Sequence, residues 1–256
     1  MKYGFIGLGN MGGAILRGMR ASERFQGSEI YAYGRSVKSD LAQNLANAAE
    51  VCRAADVVVF AVKPQVLEGV LKGVARELAG KLVVSVAAGK TLAFLENCLG
   101  EGARIVRVMP NINAAVLSST SAFCASASAT EEDRRAVREI FETIGSVIEL
   151  EEKHFSAFSA IAGCSPAFTY MYIDALARAA VRAGMPRETA LSAAASAVLG
   201  SAKMVTESGE PPMQLCDRVC SPGGTTIEGV MRLRALGFED AVHEAVKAAI
   251  EKDRTL

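Results

Sequence analysis

A glycine turn close to the start of the chain does most to limit its fold. Gly7-Leu8-Gly9-Asn10-Met11-Gly12 comes after an apolar run at residues 2–6 and opens a helical pattern at 11–19. In the order strand, G-x-G-x-x-G, helix, each glycine has a physical task. The first permits a tight turn, the second lets the backbone approach a pyrophosphate, and the third lets the helix pack close on the strand. Orphan N–H groups at the positive end of the helix then offer a seat for phosphates. In a chain with 23 glycines the pattern alone says little, and its place after the first strand is what makes it informative. Ile6, Gly7, Leu8, Gly9, Asn10 and Met11 are read as contacts to a bound dinucleotide.

The chain beyond residue 12 has the rhythm that such a turn requires. Short β-branched runs are expected as strands at 2–6, 29–33, 57–62, 82–86, 105–108, 121–124 and 146–150. Helical patterns separate them at 12–19, 39–45, 64–78, 91–99 and 131–144. Val57-Val58-Val59-Phe60-Ala61-Val62 is apolar throughout, as suits a parallel strand covered on both faces. The alternation predicts an α/β domain, a Rossmann-type doubly wound sheet, over residues 1–150. From 151 to 256 the strands vanish and an all-helical domain is expected, with helices at 155–162, 166–183, 186–207, 213–219, 226–236 and 238–252. Gly184-Met185-Pro186, Gly209-Glu210-Pro211-Pro212 and Ser221-Pro222-Gly223-Gly224 supply the breaks. Alanines such as Ala175, Ala177, Ala179 and Ala180 leave apolar surface on several helix faces, which favours burial against a second copy of the chain; a compact monomer with buried helices is the other reading.

Ligands of open α/β sheets bind beyond the carboxyl ends of the strands. At the second strand end this chain places Arg35 and Ser36, with no Asp or Glu to accept from a ribose diol. A guanidinium pairs with a 2′-phosphate, so NADPH is favoured, with NADH also admitted; the bland alternative is a solvated loop arginine. Ala61-Val62-Lys63 and Ala87-Ala88-Gly89 end two further strands. The small residues at 87–89 would let a flat nicotinamide ring lie near the backbone, although both segments also read as ordinary strand-to-helix turns. In the helical half, Ser221-Pro222-Gly223-Gly224-Thr225-Thr226 gathers N–H donors and hydroxyls at a helix start. That suits a carboxylate, and it also suits an N-cap, for which one hydroxyl is enough.

These blocks together carry a resemblance to the pyrroline-5-carboxylate reductase family over essentially the whole length. It rests on Phe5-Ile6-Gly7-Leu8-Gly9-Asn10-Met11, Ala61-Val62-Lys63-Pro64-Gln65, Arg107-Val108-Met109-Pro110-Asn111 and Gly163-Cys164-Ser165-Pro166-Ala167-Phe168. Most specific is the stretch from Pro212 and Leu215 through Val219-Cys220-Ser221-Pro222-Gly223-Gly224-Thr225-Thr226 to Gly229. One departure is Ala162-Gly163-Cys164-Ser165, where the family usually reads Ser-Gly-x-Gly; it weakens a hydroxyl role at 162, while Ser165 keeps the turn small. The resemblance implies reduction of 1-pyrroline-5-carboxylate to proline by NAD(P)H, the last step of proline biosynthesis. It also implies a helical dimerisation domain, a homodimer assembling into a decamer, and an active site at the dimer interface. Carried across, Ser221, Gly224, Thr225 and Thr226 would hold the substrate carboxylate and ring nitrogen, with Thr226 as the catalytic group at nitrogen. Glu152 and Lys203 are read as solvated or structural.

Composition removes competing classes. Lys plus Arg equals Asp plus Glu at 28 each, which leaves no general basic footprint for nucleic acid or an anionic membrane. No apolar run reaches the ~20 residues of a membrane helix, and the first residues lack a signal-peptide layout. Six scattered cysteines read as reduced thiols of a cytoplasmic protein, and two histidines are too few for a histidine-rich metal site, so no metal is expected. A β-hydroxyacid dehydrogenase would need a catalytic Lys that residues 163–174 do not contain. A non-catalytic NADP(H) sensor would have lost the Ser221–Thr226 groups, which are intact.

Overall fold

The structure is a computed structural model and describes residues 1–254. It divides into two compact units, one formed by Met1–Gly163 with the chain from Ile250 onward, the other by Cys164–Ala249. The change of sequence texture at 150/151 comes ahead of that division. The reason is packing: Phe155, Phe158 and Ala162 bury themselves against Ala122 and Cys124 of the sheet, so the first helical residues belong with the strands.

The first unit is built on one eight-stranded sheet of order β3-β2-β1-β4-β5-β6-β7-β8. Strands β1 (Tyr3–Ile6), β2 (Ile30–Tyr33), β3 (Gln43–Asn44), β4 (Val57–Phe60), β5 (Leu82–Ser85) and β6 (Arg104–Met109) all run parallel. β7 (Ser119–Ala125) turns back antiparallel to β6, and β8 (Gly145–Glu149) pairs with it in parallel. The order reverses between β1 and β4, the crevice where a doubly wound sheet binds its ligand.

Alternation of side chains along the strands splits the core in two. Phe5, Val57, Val59, Val84, Val106 and Phe123 face one way, onto α1 (Asn10–Ala21) and α5 (Glu131–Glu142). Ile6, Val58, Phe60, Val83 and Ile105 face the other, onto α2 (Ala48–Ala54), α3 (Pro64–Val74) and α4 (Leu92–Leu99). The start of α5 is fastened by a reciprocal cap between Thr130 and Asp133, and the buried Asp133 carboxylate also meets Arg104 at 3.1 Å.

One expected element is replaced. Residues 39–45 form no helix. The Asn44 amide accepts from the Ser39 N–H at 3.0 Å and donates to the Ser39 carbonyl at 2.6 Å, and this local turn leads into the short β3. The helix stands one step later as α2, where Asn47 accepts from the Glu50 N–H at 2.9 Å as its cap.

From Phe155 the chain is almost continuously helical. α6 (Phe155–Phe158) passes through a wider π-type segment, Ser159–Cys164, directly into α7 (Ser165–Arg182). The break expected between 162 and 166 is therefore a widening rather than a gap, since Pro166 in the first turn of α7 has no N–H to lose.

The second unit contains all of α7, then α8 (Arg187–Ser208), α9 (Pro212–Val219), α10 (Thr225–Ala235) and most of α11 (Phe238–Asp253). Its core is thin. Ala177, Ala190 and Ala194 are buried where α7 meets α8, with Ile173 and Ala180 beside them. Met171, Leu199, Leu236 and Val219 are all more than 60% exposed. A helical unit with so few buried side chains and so much open apolar surface is built to be covered.

Burial also sets the chemistry of two thiols. Cys52 and Cys124 lie in the core, and loss of hydration pushes both up to about 12. They hold their protons throughout the neutral range, so a thiolate-selective reagent at pH 8 should leave both unlabelled in the folded protein and label them after denaturation. Labelling of either at the rate of an exposed cysteine would contradict this packing.

Candidate active site

The parallel register brings four sequence segments to one sheet edge. Ile6 pairs with Tyr33 and with Phe60, and Phe60 pairs with Ser85, so residues 7–11, 34–36, 61–63 and 86–89 leave the sheet side by side. The ladder runs one step further at each: Gly7 N–H donates to Tyr33 O at 2.9 Å, Ala61 N–H to Ile6 O at 2.8 Å, and Val86 N–H to Phe60 O at 3.1 Å.

The three glycines of the turn separate into distinct tasks. Gly7 has φ +101°, and a Cβ there would stand 2.5 Å from the Ala61 carbonyl oxygen. A Cβ on Gly12 would meet Gly7 O at 2.2 Å and the Ala61 methyl at 3.0 Å, so α1 packs here only as glycine. Gly9 differs. Its φ is −70°, which any residue adopts, and an added Cβ would have no heavy atom within 4 Å. Neither backbone nor packing requires glycine at this position, and the space in front of it fits a close-lying ligand. Gly9 also stands at the N-cap of α1, where no side chain caps the helix and no acidic residue occupies the first turn. Those N–H groups and the positive helix end suit a pyrophosphate.

Charge around the edge has the same sign. Arg35, Ser36 and Lys63 are exposed, and among the described residues neither Arg35 nor Lys63 forms an ion pair. Ala61 and Val62 are half-buried beside the turn, Leu8 is buried beneath it, and Asn10 and Met11 begin α1. Beyond the end of β5, Ala87 is buried and Ala88 exposed, and Gly89 takes φ +72°. Small residues and a left-handed turn leave this loop without a bulky side chain.

The second group of candidate residues lies in the helical unit. Gly223 takes φ +66°, Gly224 N–H donates to Ser221 O at 3.0 Å, and a Cβ on Gly224 would run into Ser221 Oγ at 2.3 Å. Gly224 is the N-cap of α10, with no side-chain cap. Thr225 and Thr226 occupy the first turn, exposed, and neither hydroxyl has a partner among the described residues. The capping reading of these threonines is thus displaced, and their hydroxyls and the first N–H groups of α10 remain available to an anion.

A network at the β6 edge was legible only in part. Arg107 stands in the apolar run Ile105-Val106-Arg107-Val108 with its side chain 8% exposed. Glu152 Oε1 accepts from its guanidinium at 2.7 Å and from Leu92 N–H, at the start of α4, also at 2.7 Å. The guanidinium lies 4.5 Å from the Phe155 ring centroid. Glu152 therefore has a structural partner. The Lys203 ammonium lies 3.6 Å from Glu207 on an exposed face. Asn111 is buried nearby, its amide donating to Ala162 O at 2.9 Å and its N–H to Ser119 Oγ at 3.1 Å. A charged side chain inside an apolar strand was the available signal, because such a group demands a counter-charge.

The two roles proposed for glycine in the turn make opposite forecasts. Gly9→Ala should fold with stability within about 1 kcal/mol of the parent, the poorer alanine N-cap offsetting the less flexible unfolded chain, while its dinucleotide affinity falls at least about tenfold. Gly12→Ala should cost about 1–3 kcal/mol or more in thermal unfolding. Unimpaired binding by a folded Gly9→Ala protein would remove the pyrophosphate from this turn.

Comparison with known proteins extends these observations over the whole chain. Residues 152–256 match the family model for pyrroline-5-carboxylate reductase dimerisation, and residues 2–89 match that for NADP oxidoreductase, coenzyme F420-dependent. The chain is 43% identical to a pyrroline-5-carboxylate reductase of Escherichia coli, covering 100% of this chain and 98% of that one. It is 39% identical to the Methanosarcina acetivorans enzyme of the same name, at 100% and 97% coverage. A crystal structure of Plasmodium falciparum pyrroline carboxylate reductase with NADP bound superposes with a TM-score of 0.91 at 34% identity, covering 100% of this chain and 97% of that one. With the glycine turn, the paired strand ends and the Ser221–Thr226 loop all in place on such a relationship, the chain belongs to the pyrroline-5-carboxylate reductase family.

Proposed function

We propose that this protein reduces 1-pyrroline-5-carboxylate to L-proline with NADPH, NADH being the alternative donor. The observation that carries the reading is Gly9: a glycine that the protein's own packing does not require, at an uncapped helix start on the carboxyl edge of a doubly wound sheet. Residues 1–150 serve the dinucleotide and residues 151–256 the substrate and dimerisation. Ile6, Gly7, Leu8, Gly9, Asn10 and Met11 hold the pyrophosphate region. Arg35 and Ser36 receive the 2′-phosphate end, and Ala61, Val62, Lys63, Ala87, Ala88 and Gly89 line the remainder toward the nicotinamide. When bound, the cofactor supplies the hydride.

The chain's own groups bind and orient. Gly224 and Thr225 offer N–H groups at the start of α10 to the substrate carboxylate, and Ser221 adds a hydroxyl. Thr226 holds the ring nitrogen through its hydroxyl as that nitrogen changes charge. An imine that arrives protonated needs no strong protein acid, in keeping with a residue set that contains no histidine. The open apolar helices of the second unit are covered by a second copy in a homodimer, and the dimers associate further into a decamer. Six free thiols are in keeping with a cytoplasmic setting.

The direct test is loss of NADPH absorbance with 1-pyrroline-5-carboxylate as sole substrate, beside a panel of β-hydroxyacids with NADP. Turnover of the imine alone is expected; inertness toward it, or oxidation of a hydroxyacid, would overturn the reading. Thr226→Ala should lower kcat about 10–100-fold, equivalent to roughly 1.4–2.7 kcal/mol of transition-state stabilisation. An intact kcat would take Thr226 out of the chemistry. Arg35→Asp should abolish the preference for NADPH over NADH in kcat/KM, and an unchanged ratio would dismiss Arg35 as the phosphate partner.

A further inference from the structure

We infer that Glu152 is a positioning residue for the nicotinamide end of the dinucleotide site, acting through Arg107 and the first turn of α4; the inference rests on residues 87–89 lining the nicotinamide seat. The loop between β5 and α4 is short, so its course is set by its two ends. At the strand end, Val86 N–H is held by Phe60 O at 3.1 Å. At the helix end, Thr91 Oγ1 accepts from Phe94 N–H at 3.1 Å and fastens the first turn to itself. Neither bond fixes that turn relative to the sheet. Glu152 does so. Its Oε1 takes the otherwise orphaned Leu92 N–H and the Arg107 guanidinium, each at 2.7 Å. Arg107 in turn pairs in register with Ser85, the last residue of β5.

One carboxylate oxygen thus ties the start of α4 to the neighbouring strand. A negative charge at a helix N-terminus and a largely buried guanidinium stabilise the same group, so the tie is charge-assisted on both sides. The Phe155 ring under Arg107 completes it and leaves the guanidinium little freedom. Ala87-Ala88-Gly89 lies between these anchors; the buried Ala87 methyl and its N–H bond to Ser85 Oγ at 3.4 Å hold the start of the loop, while Ala88 and Gly89 have no side chain that could hold them. The adenosine-end residues, 6–11 and 35–36, have no bond to this network among the described residues.

The test separates binding of the whole cofactor from binding of its adenosine half. The full-length protein, Glu152→Ala and Glu152→Gln are titrated with NADPH and with 2′-phospho-adenosine diphosphate ribose, which lacks the nicotinamide. Amide exchange at Leu92 is monitored without ligand. In the alanine variant NADPH affinity should fall about tenfold. Affinity for the fragment should stay within about twofold of the parent, and Leu92 exchange should accelerate. Glutamine keeps an acceptor oxygen but loses the charge that Arg107 and the helix start share, so its NADPH affinity should fall about threefold, between parent and alanine variant, with fragment affinity unchanged; that fall carries the test if the alanine variant does not fold. Equal weakening of both ligands, or no change in NADPH affinity in either variant, overturns the role of Glu152 alone. A parent protein that binds neither ligand overturns the dinucleotide reading itself, and this inference with it.

Discussion

Everything at the sheet edge depends on how closely α1 approaches β1 and β4. The helix can aim its uncapped start along the carboxyl edge only because no side chain intervenes at Gly7 or Gly12, where a Cβ would lie 2.5 Å and 2.2 Å from backbone oxygens. Core burial on both faces of the sheet then locks that approach, since Ile15, Leu16 and Met19 of α1 are packed against Phe5 and Val59. The proposed cofactor seat is thus a by-product of packing: the same closeness that buries the helix leaves its start without a side-chain cap. Gly9 adds room, and Arg35 and Lys63 add charge.

The parts of the fold visible in the sequence were those whose signal is local. Val57–Phe60 is apolar at every position because both faces are covered, and it emerged as a central strand. Glycine and proline marked the helix breaks at 184–186 and 209–212 because they act on their own backbone. Residues 39–45 misled, since an apolar spacing that would suit a helix yields to backbone N–H groups bonding the Asn44 and Ser39 side-chain oxygens. The signal for α2 lay in Asn47 and Glu50, a cap three residues apart, and was overshadowed by the stretch before it. The widened turn at Ser159–Cys164 has no composition of its own.

For the site, the division obeys the same physics. Backbone-built features, the glycine turn and the Ser221–Thr226 loop, can be read because the residue type is the geometry. Features built by distant side chains cannot. Glu152 meets Arg107 and Leu92 across 45 and 60 residues of chain, and no spacing rule links them. Arg107, a charge inside an apolar strand, was the one local sign that a partner of opposite charge is required. The identity of that partner needed the fold, which brings the first residues after β8 back beside β5 and β6.

The thin alanine core of the helical unit carries a thermodynamic consequence. With Ala177, Ala190 and Ala194 as its buried centre, that half of the chain gains little free energy from closing on itself, because methyl groups remove little area from water. In the proposed homodimer its cohesion comes largely from association, which would make folding of this half a second-order process. Crowding of newly made chains and the dilution of a purified sample then become variables of the fold itself, alongside temperature and denaturant.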